Sequence, residues 1–225
     1  MPENSGNLLP IYVVADESAS MDEHIDDLND GLARLHEALL AEPMAAAKVR
    51  FSILGFSDDV QVRLQLADLR RETALPRLTC RNMTVYARVF EDLRARIPDD
   101  VSALKGQGYR VHRPAVFVLT DGQPTDGDAW LAQRDQLVDR QVTPAAPNII
   151  AFGIGNAQPA TILRVATQQD YAFVAMSEVD ISAAIAKFCS ALTKSIVHSG
   201  RTLGSAQPSL VVERPQNFTM AIDVV

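Results

Sequence analysis

Apolar runs alternate with amphipathic stretches along this chain, a rhythm that predicts a parallel sheet covered by helices. The runs are nearly continuous and rich in β-branched residues, as expected of strands that are buried on both faces. In the stretches between them, apolar residues recur every three or four positions, the spacing of one helix face. The runs predict strands at 8–15, 49–56, 115–120, 148–154 and 171–175, and the spacing predicts helices at 25–39, 84–97, 128–140, from 159 and at 181–196.

One further strand has a different pattern. Apolar and polar residues alternate from Val60 to Leu66, which is typical of a strand with one exposed face. The short turn Ser57–Asp59 connects it to the strand at 49–56, so the two strands are predicted to form an antiparallel hairpin. The chain is therefore predicted to be an α/β protein: a doubly wound, mostly parallel six-stranded sheet with one antiparallel edge strand and helices on both faces.

Prolines and polar residues set several of the predicted boundaries. Pro98 is expected to end the helix at 84–97, since proline lacks the N–H that a helix interior uses. The following stretch, 99–113, contains two glycines and is predicted to be a surface loop. Asp180, together with Ser177, predicts a capped start for the last helix.

Length and composition are those of one soluble globular domain. The chain has 225 residues, of which 47% are hydrophobic and 22% are charged, so a core of sufficient size needs no disulfide or structural zinc. The predicted domain covers 8–198. It lies between a tail at 1–7 and a tail or docking segment at 199–225, in which Ser209–Glu213 is a candidate strand.

Charge and cysteine content exclude several classes of function. The formal net charge is −7 and no basic face is visible, which argues against a nucleic-acid partner. Cys80 and Cys189 are far apart and lie in no Cys/His cluster, so a zinc site is not expected. Neither a signal peptide nor an apolar run long enough to cross a bilayer is visible, and we expect a cytoplasmic protein.

Oxygen-bearing side chains follow two of the predicted strands and lie at the start of one helix. Asp16, Ser18 and Ser20 come directly after the first strand, Asp121 follows the strand at 115–120, and Thr84 begins a helix. Ligands of open parallel sheets gather beyond the carboxyl ends of the strands. Two carboxylates and three hydroxyls form a hard, oxygen-only donor set, which suits Mg²⁺, with Mn²⁺ or Ca²⁺ as alternatives.

These residues carry a resemblance to a known family. The D-x-S-x-S pattern at Asp16–Ser20, the helix led by Thr84, and Thr120–Gly122 resemble the metal-ion-dependent adhesion site of von Willebrand factor A domains. The order and rough spacing agree, and the match extends over about 8–198. The resemblance implies a protein–protein interaction module that is not an enzyme.

The resemblance also implies a role for each residue. Ser18 and Ser20 would bind Mg²⁺ directly, and Thr84 would bind it directly or through water. Asp16 and Asp121 would hold coordinated waters and supply negative charge. The sixth metal position would accept a Glu or Asp side chain from a protein partner.

Within that family, two segments are similar to bacterial tellurite-resistance-associated proteins: Leu9–Tyr12 and Leu119–Asp126. This likeness implies scaffolding in a stress-response complex. The chain departs from the family pattern at Glu17, at Ala19 and at Cys80–Met83, where small residues or glycines are usual. These departures lie in the loops around the predicted metal site, and Glu17 is a candidate ligand for a neighbouring metal.

Two alternative functions stay open on the sequence. Asp16 could be the nucleophile of a magnesium-dependent phosphatase or phosphotransfer enzyme. That chemistry usually requires a lysine near a later strand end, but Lys187 and Lys194 belong to the last predicted helix. The second alternative is an interaction domain whose metal site is degenerate. A serine hydrolase is disfavoured because the chain has no G-x-S-x-G elbow.

Overall fold

The computed structural model describes residues 6–203, 205 and 207–223, which form an α/β fold with one mixed sheet between two layers of helices. Within these ranges the strands are β1 (Asn7–Asp16), β2 (Val49–Phe56), β3 (Val60–Ala67), β4 (Arg110–Val111), β5 (Ala115–Thr120), β6 (Asn148–Gly153), β7 (Ala172–Ala175) and β8 (Phe218–Met220). The helices are α1 (Ile25–Leu40), α2 (Pro43–Ala46), α3 (Tyr86–Gly106), α4 (Trp130–Val138), α5 (Pro159–Val165) and α6 (Ile181–Thr202).

The strand order across the sheet is β3-β2-β1-β5-β6-β7-β8, and the short β4 pairs with the start of β1. The interior strands are parallel, while β3 and β8 run antiparallel at the two edges. The predicted fold class is confirmed, but the strand number was too low. The described ranges contain eight strands and two antiparallel edges. The sequence does not predict β4 and β8 because they have only two and three residues, too few to show an apolar pattern.

The core lies on both faces of the sheet. In β1, Leu9, Ile11 and Val13 pack under α1 and α6, while Tyr12 and Val14 pack against α3 and α4. This division follows from the strand geometry, in which successive side chains point to opposite faces. Both faces of β1 are therefore buried, and the strand reads as a continuous apolar run.

The prediction that Pro98 ends a helix was wrong. α3 continues through Pro98 to Gly106, so half of the predicted loop at 99–113 is helical. A proline inside a helix removes one backbone hydrogen bond. Here that loss is offset because Ile97 and Val101, on both sides of the proline, are buried against the sheet.

The segment after α6 is extended but forms no strand at Ser209–Glu213, contrary to the prediction. It runs along α6, where helix hydroxyls take the place of a neighbouring strand. The backbone N–H groups of residues 213, 211 and 209 donate to Ser195 Oγ, Ser199 Oγ and Thr202 Oγ1 over 2.8, 2.8 and 3.4 Å. The chain then adds β8 to the edge of the sheet.

Candidate metal centre

The parallel pairing of β1 and β5 brings their carboxyl ends to the same edge of the sheet. β1 ends at Asp16, and Asp121 directly follows β5. Ala15 is in register with Leu119, so the two aspartates leave the sheet side by side. After β1 the chain enters a short 3₁₀ turn at Ala19–Met21, which turns the two predicted serines back toward this edge.

The side-chain oxygens of three predicted site residues form one hydrogen-bonded chain, and a fourth residue, Asp16, is linked to it through a backbone N–H. Ser18 Oγ and Ser20 Oγ are 3.1 Å apart, and Ser20 Oγ donates to Asp121 Oδ1 over 2.7 Å. Asp16 Oδ1 accepts from the backbone N–H of Ser18 over 2.8 Å. Side chains more than a hundred positions apart in sequence therefore meet at one point.

Thr84, the fifth predicted residue, lies at the side of this group. It is buried and precedes α3 by two residues, and a Cβ placed on Gly122 would lie 3.8 Å from Thr84 Oγ1. Thr125 holds it there, since the backbone N–H and the hydroxyl of Thr125 both donate to the carbonyl of Thr84, over 2.8 and 3.0 Å. Thr84 is therefore next to the turn that contains Asp121.

Asp126 links the same two segments and was not predicted as a site residue. Its carboxylate accepts the backbone N–H groups of Tyr86 and Ala87 over 3.3 and 2.8 Å. A carboxylate at these otherwise unpaired groups stabilises a helix start. Asp126 thus caps α3 from a different loop, a contact that local sequence cannot show.

Beneath the site, Asp16 is held by residues that sequence reasoning did not select. Thr120 Oγ1 donates to Asp16 Oδ2 over 2.6 Å, and the Tyr86 hydroxyl donates to Thr120 Oγ1 over 3.2 Å. Both carboxylate oxygens of Asp16 therefore accept hydrogen bonds from the protein. The one available signal was Thr120 itself, a polar residue at the end of an apolar strand.

Glu17 does not face the metal position, so the idea that it binds a neighbouring metal was wrong. Its side chain is fully buried and points toward β3 and the loop before Thr84. Arg63 Nε and Nη2 donate to its two oxygens over 3.0 Å each, and Arg81 Nε donates over 2.9 Å. The Glu17 cluster, meaning Glu17, Arg63 and Arg81, is an ion network in which a buried carboxylate is paired with two partly buried guanidiniums.

Arg81 also fixes the loop at 80–83, where the family usually has glycines. Its backbone N–H donates to the carbonyl of Glu17 over 2.6 Å, and its Nη2 donates to the carbonyl of Gly55 over 3.0 Å. The next carbonyl, of Asn82, accepts from the N–H of Ala19 over 3.0 Å. The loop that presents Thr84 is thus bonded to the loop that presents the serines.

Burial makes both site aspartates difficult to ionise. It raises the pKa of Asp16 from its ordinary 3.8 to about 6, although hydrogen bonds from Ser18 and Thr120 oppose the shift. Burial also raises the pKa of Asp121, against a hydrogen bond from Ser20. Nearby, burial and the charge of Asp22 raise the pKa of the Cys80 thiol to about 11, so this sulfur is protonated near neutral pH.

A model of the von Willebrand factor type A domain matches residues 11–187, most of the 225-residue chain. The chain belongs to the von Willebrand factor type A family. No curated protein sequence matches it. Nothing in these comparisons ties this family member to the tellurite-resistance branch.

Solved structures share the von Willebrand factor type A fold at low sequence identity. Proximal thread matrix protein 1 from the mussel byssus, in a structure titled with a zinc-occupied MIDAS motif, has a TM-score of 0.60 and 16% identity over 85% of this chain and 48% of that chain. The pilus adhesin SpaC from Lactobacillus rhamnosus GG has a TM-score of 0.64 and 13% identity, over 85% of this chain and 30% of that chain. A von Willebrand factor type A structure from Catenulispora acidiphila has a TM-score of 0.52 and 13% identity, over 85% of this chain and 43% of that chain. The chain spans less than half the length of each.

The donor set of this von Willebrand factor type A domain fits a divalent cation. Neighbouring ligands of octahedral Mg²⁺, each about 2.1 Å from the ion, are about 3.0 Å apart. The separation of 3.1 Å between the hydroxyls of Ser18 and Ser20, the two proposed direct ligands, is close to that value. A cation would also offset the buried charge of Asp16 and Asp121. In the described part of the chain, no helix is both long and apolar enough to cross a membrane.

Proposed function

We propose that this domain is a metal-dependent protein-interaction module and not an enzyme. The observation that supports the proposal is the hydrogen-bonded chain from Ser18 through Ser20 to Asp121, in which the two serine hydroxyls are 3.1 Å apart, close to the spacing of neighbouring octahedral ligands. Ser18 and Ser20 would hold the ion, Mg²⁺ or alternatively Mn²⁺ or Ca²⁺, and Thr84 would hold it directly or through water. The zinc-occupied MIDAS motif named for the mussel protein is consistent with a divalent ion at this position of the fold.

Asp16 and Asp121 would act differently from the serines. Asp16 is fully buried, and each of its oxygens already accepts a hydrogen bond from the protein. It would contribute negative charge from below. Asp121 is also buried, accepts from Ser20 at the other end of the chain of bonds and would orient a coordinated water.

A bound divalent ion supplies Lewis acidity, which allows it to bind a carboxylate oxygen from outside. A partner Glu or Asp is therefore the proposed last ligand. Met83 precedes Thr84, and 51% of its surface is exposed at this rim. An apolar side chain beside the partner's acid would pack there, so we propose a partner segment with an acidic residue next to an apolar one.

The contacts of Asp16 disfavour the phosphatase alternative. A nucleophilic carboxylate needs a free oxygen directed at the substrate, but Asp16 is buried with both oxygens engaged. The candidate lysines, Lys187 and Lys194, lie on α6. We therefore expect no hydrolysis of a phosphate ester in the presence of Mg²⁺. Turnover that Asp16→Asn abolishes would contradict the proposal.

The cellular setting is proposed from the resemblance alone. The segments Leu9–Tyr12 and Leu119–Asp126 support a scaffolding role in a bacterial stress complex of the tellurite-resistance type, in the cytoplasm. A pull-down from the native cell extract, with Mg²⁺ or with EDTA, tests this role. The expected partner is retained with Mg²⁺ only, and it is lost with the Asp121→Ala variant.

The metal site is tested by thermal unfolding with and without millimolar Mg²⁺ or Mn²⁺. A ligand that binds only the folded state raises the midpoint, by an amount that grows with the ratio of its concentration to Kd. Asp121→Ala should remove this shift. Asp30→Ala, at an exposed position of α1, is the matched control and should retain it. No shift for the unchanged protein, or the same shift for Asp121→Ala, would contradict the proposed site.

A further inference from the structure

A second polar cleft lies at the opposite edge of the sheet from the candidate metal centre. It has a volume of about 270 Å³ and opens where β1 and β6 begin. One wall is formed by the extended segment after α6, and the others by Leu9, His112, Arg113, Arg140 and Asn148. A neighbouring cleft of about 400 Å³ shares His112 and Arg113 and adds Lys105. We call the two together the basic cleft.

The charges of the basic cleft are opposite to the charge of the whole chain. The formal net charge is −7, yet no acidic residue lines either part of the cleft. Most arginines of the described ranges form ion pairs with aspartate or glutamate, for example Arg63, Arg77 and Arg96. Lys105, Arg113 and Arg140 form none with any described residue, and Arg113 and Arg140 line the same cleft without a compensating acid.

The polar groups of this cleft have unused hydrogen-bonding capacity. His112 Nε2 is buried and has no hydrogen-bond partner among the described residues. Arg113 uses one Nη1 group on the carbonyl of Ala146, and no hydrogen bond is formed by the side chain of Arg140 within the described chain. Burial and the proximity of Arg140 lower the pKa of Arg113, and burial and Arg110 lower that of His112. A bound anion would accept hydrogen bonds from these groups and would raise the pKa of Arg113 and of His112 again, because it stabilises their charged forms.

We propose that the basic cleft binds a phosphate dianion. Guanidinium groups present several N–H donors in a fixed geometry that suits phosphate oxygens, and both arginines here can donate. His112, in its Nε2–H tautomer, and the side-chain amide of Asn148 add donors where β5 and β6 begin. A tetrahedral anion has acceptors on all sides, so it can be bound by donors on separate walls, whereas a planar carboxylate has fewer acceptor directions.

The cleft is built by the fold and not by a local sequence pattern. Arg140 comes from the end of the α4 region and Arg113 from the link between β4 and β5, and the pairing of β5 with β6 brings these regions together. This explains why the sequence shows no basic face. The cleft contains too few cations for a nucleic acid, whose backbone requires a continuous basic surface.

Binding of inorganic phosphate, measured by isothermal titration calorimetry in EDTA, tests the proposal independently of the metal site. We expect saturable binding at one site, weakened about tenfold by Arg140→Gln and by Arg113→Gln, since each removes a charged hydrogen bond to the anion. Arg140→Gln is decisive, because the Arg140 side chain is exposed and holds no part of the fold.

Two controls separate this site from other surfaces. Arg88→Gln removes an exposed arginine that pairs with Glu91 on α3, and Asp121→Ala alters the metal centre; neither should change phosphate binding. No saturable binding at millimolar phosphate, or equal binding by the Arg140→Gln variant, would overturn the proposal. O-phosphoserine in place of inorganic phosphate identifies the source: tighter binding assigns the cleft to a phosphorylated side chain, and weaker binding assigns it to the free anion.

Discussion

Asp16 and Glu17 are neighbours in sequence and both are fully buried, yet their surroundings are opposite. Glu17 is bonded to two arginines and to the backbone N–H of Thr79. Asp16 is bonded only to neutral groups, the N–H of Ser18 and the hydroxyl of Thr120. Because strand residues alternate in direction, one carboxylate turns toward β3 and the other stays at the edge shared with β5.

The difference shows how a buried carboxylate can be assigned a role from its partners. A buried charge is tolerated when an opposite charge or several hydrogen bonds offset its lost hydration. Glu17 is compensated within the chain, which makes it structural. Asp16 and Asp121 have no cationic side chain bonded to them in the described ranges, so the missing compensation points to an external cation.

The largest effect should come from Glu17→Gln. The substitution leaves Arg63 without its anion and Arg81 paired only with Asp59, and breaking one side of a buried pair destabilises a protein by about 3–5 kcal/mol. We expect about 3 kcal/mol, because both guanidiniums keep partial contact with water. Urea denaturation measures this loss. The exposed Glu91→Gln on α3 is the control and should cost less than about 1 kcal/mol, and equal losses would refute a structural role for the Glu17 cluster.

Asp16, in contrast to Glu17, should destabilise the folded protein when it ionises, which a pH series in EDTA can show. Below about pH 3 its carboxyl is protonated in both states, so its full contribution to stability is present. As pH rises, the unfolded chain loses the proton first, with an ordinary pKa of 3.8, and the folded protein retains it up to about 6. Stability from this group therefore falls as pH rises through the folded pKa, by up to about 3 kcal/mol.

Comparison with Asp16→Asn isolates this contribution. The variant cannot ionise, so the free energy of unfolding of the unchanged protein should fall relative to that of Asp16→Asn between about pH 4 and pH 7. Urea denaturation at several pH values measures the difference. Parallel curves for the two proteins would mean that Asp16 is not an uncompensated charge.

Gly55→Ala should reveal how tightly Glu17 is enclosed. A Cβ at position 55 would lie 2.2 Å from the carboxyl carbon of Glu17, so the Glu17 cluster must shift. We expect a loss of about 1–3 kcal/mol in thermal or urea unfolding. Gly106→Ala, where a Cβ would meet nothing within 4 Å, is the matched control and should be neutral or slightly stabilising. Similar effects at both positions would show that the enclosure is loose.

Asp126→Asn should give the smallest effect on stability and a clear effect on metal binding. Asn retains one oxygen for the N–H groups of Tyr86 and Ala87 and loses the charge, which costs about 1 kcal/mol at a helix start. The looser start of α3 should weaken Mg²⁺ binding by displacing Thr84. Titration calorimetry compares it with Asp128→Asn, in the same loop, whose Asp128 pairs with exposed Arg164. Unchanged Mg²⁺ affinity would exclude this positioning role.

The sequence carried enough information for the central strands and for the meeting point of the predicted site residues. β1 and β5 are continuous apolar runs, and polar residues directly after neighbouring parallel strands must emerge at one edge. Asp16 and Asp121 could therefore be predicted to lie close together. What the residues bind is a separate question, which the metal titration addresses.

The remaining features depend on contacts that have no sequence spacing. The proline rule failed in α3 because burial of Ile97 and Val101 outweighs one lost hydrogen bond. The position of Glu17 in the motif suggested a metal ligand and did not indicate its arginine partners. Arg63 lies on the half-exposed β3 and Arg81 on an irregular loop, so neither has a fixed sequence spacing to Glu17. Ion pairs of this kind depend on where the folded chain directs each side chain, which the sequence spacing does not show.

The row of hydroxyls on α6 has a consequence for how far a chain can follow a helix. Two residues of extended chain advance about 6.6–6.8 Å, while four helical residues rise about 6.0 Å and three rise about 4.5 Å. Ser195 and Ser199 are four apart and both accept a backbone N–H at 2.8 Å. Thr202 is only three further on: its bond from the N–H of Ser209 lengthens to 3.4 Å, and its hydroxyl instead donates to the carbonyl of Ser209 over 2.7 Å. The advance of the extended segment and the rise of the helix therefore fall out of step. A row of N–H bonds to helix hydroxyls can extend over only a few residues before its partners no longer align.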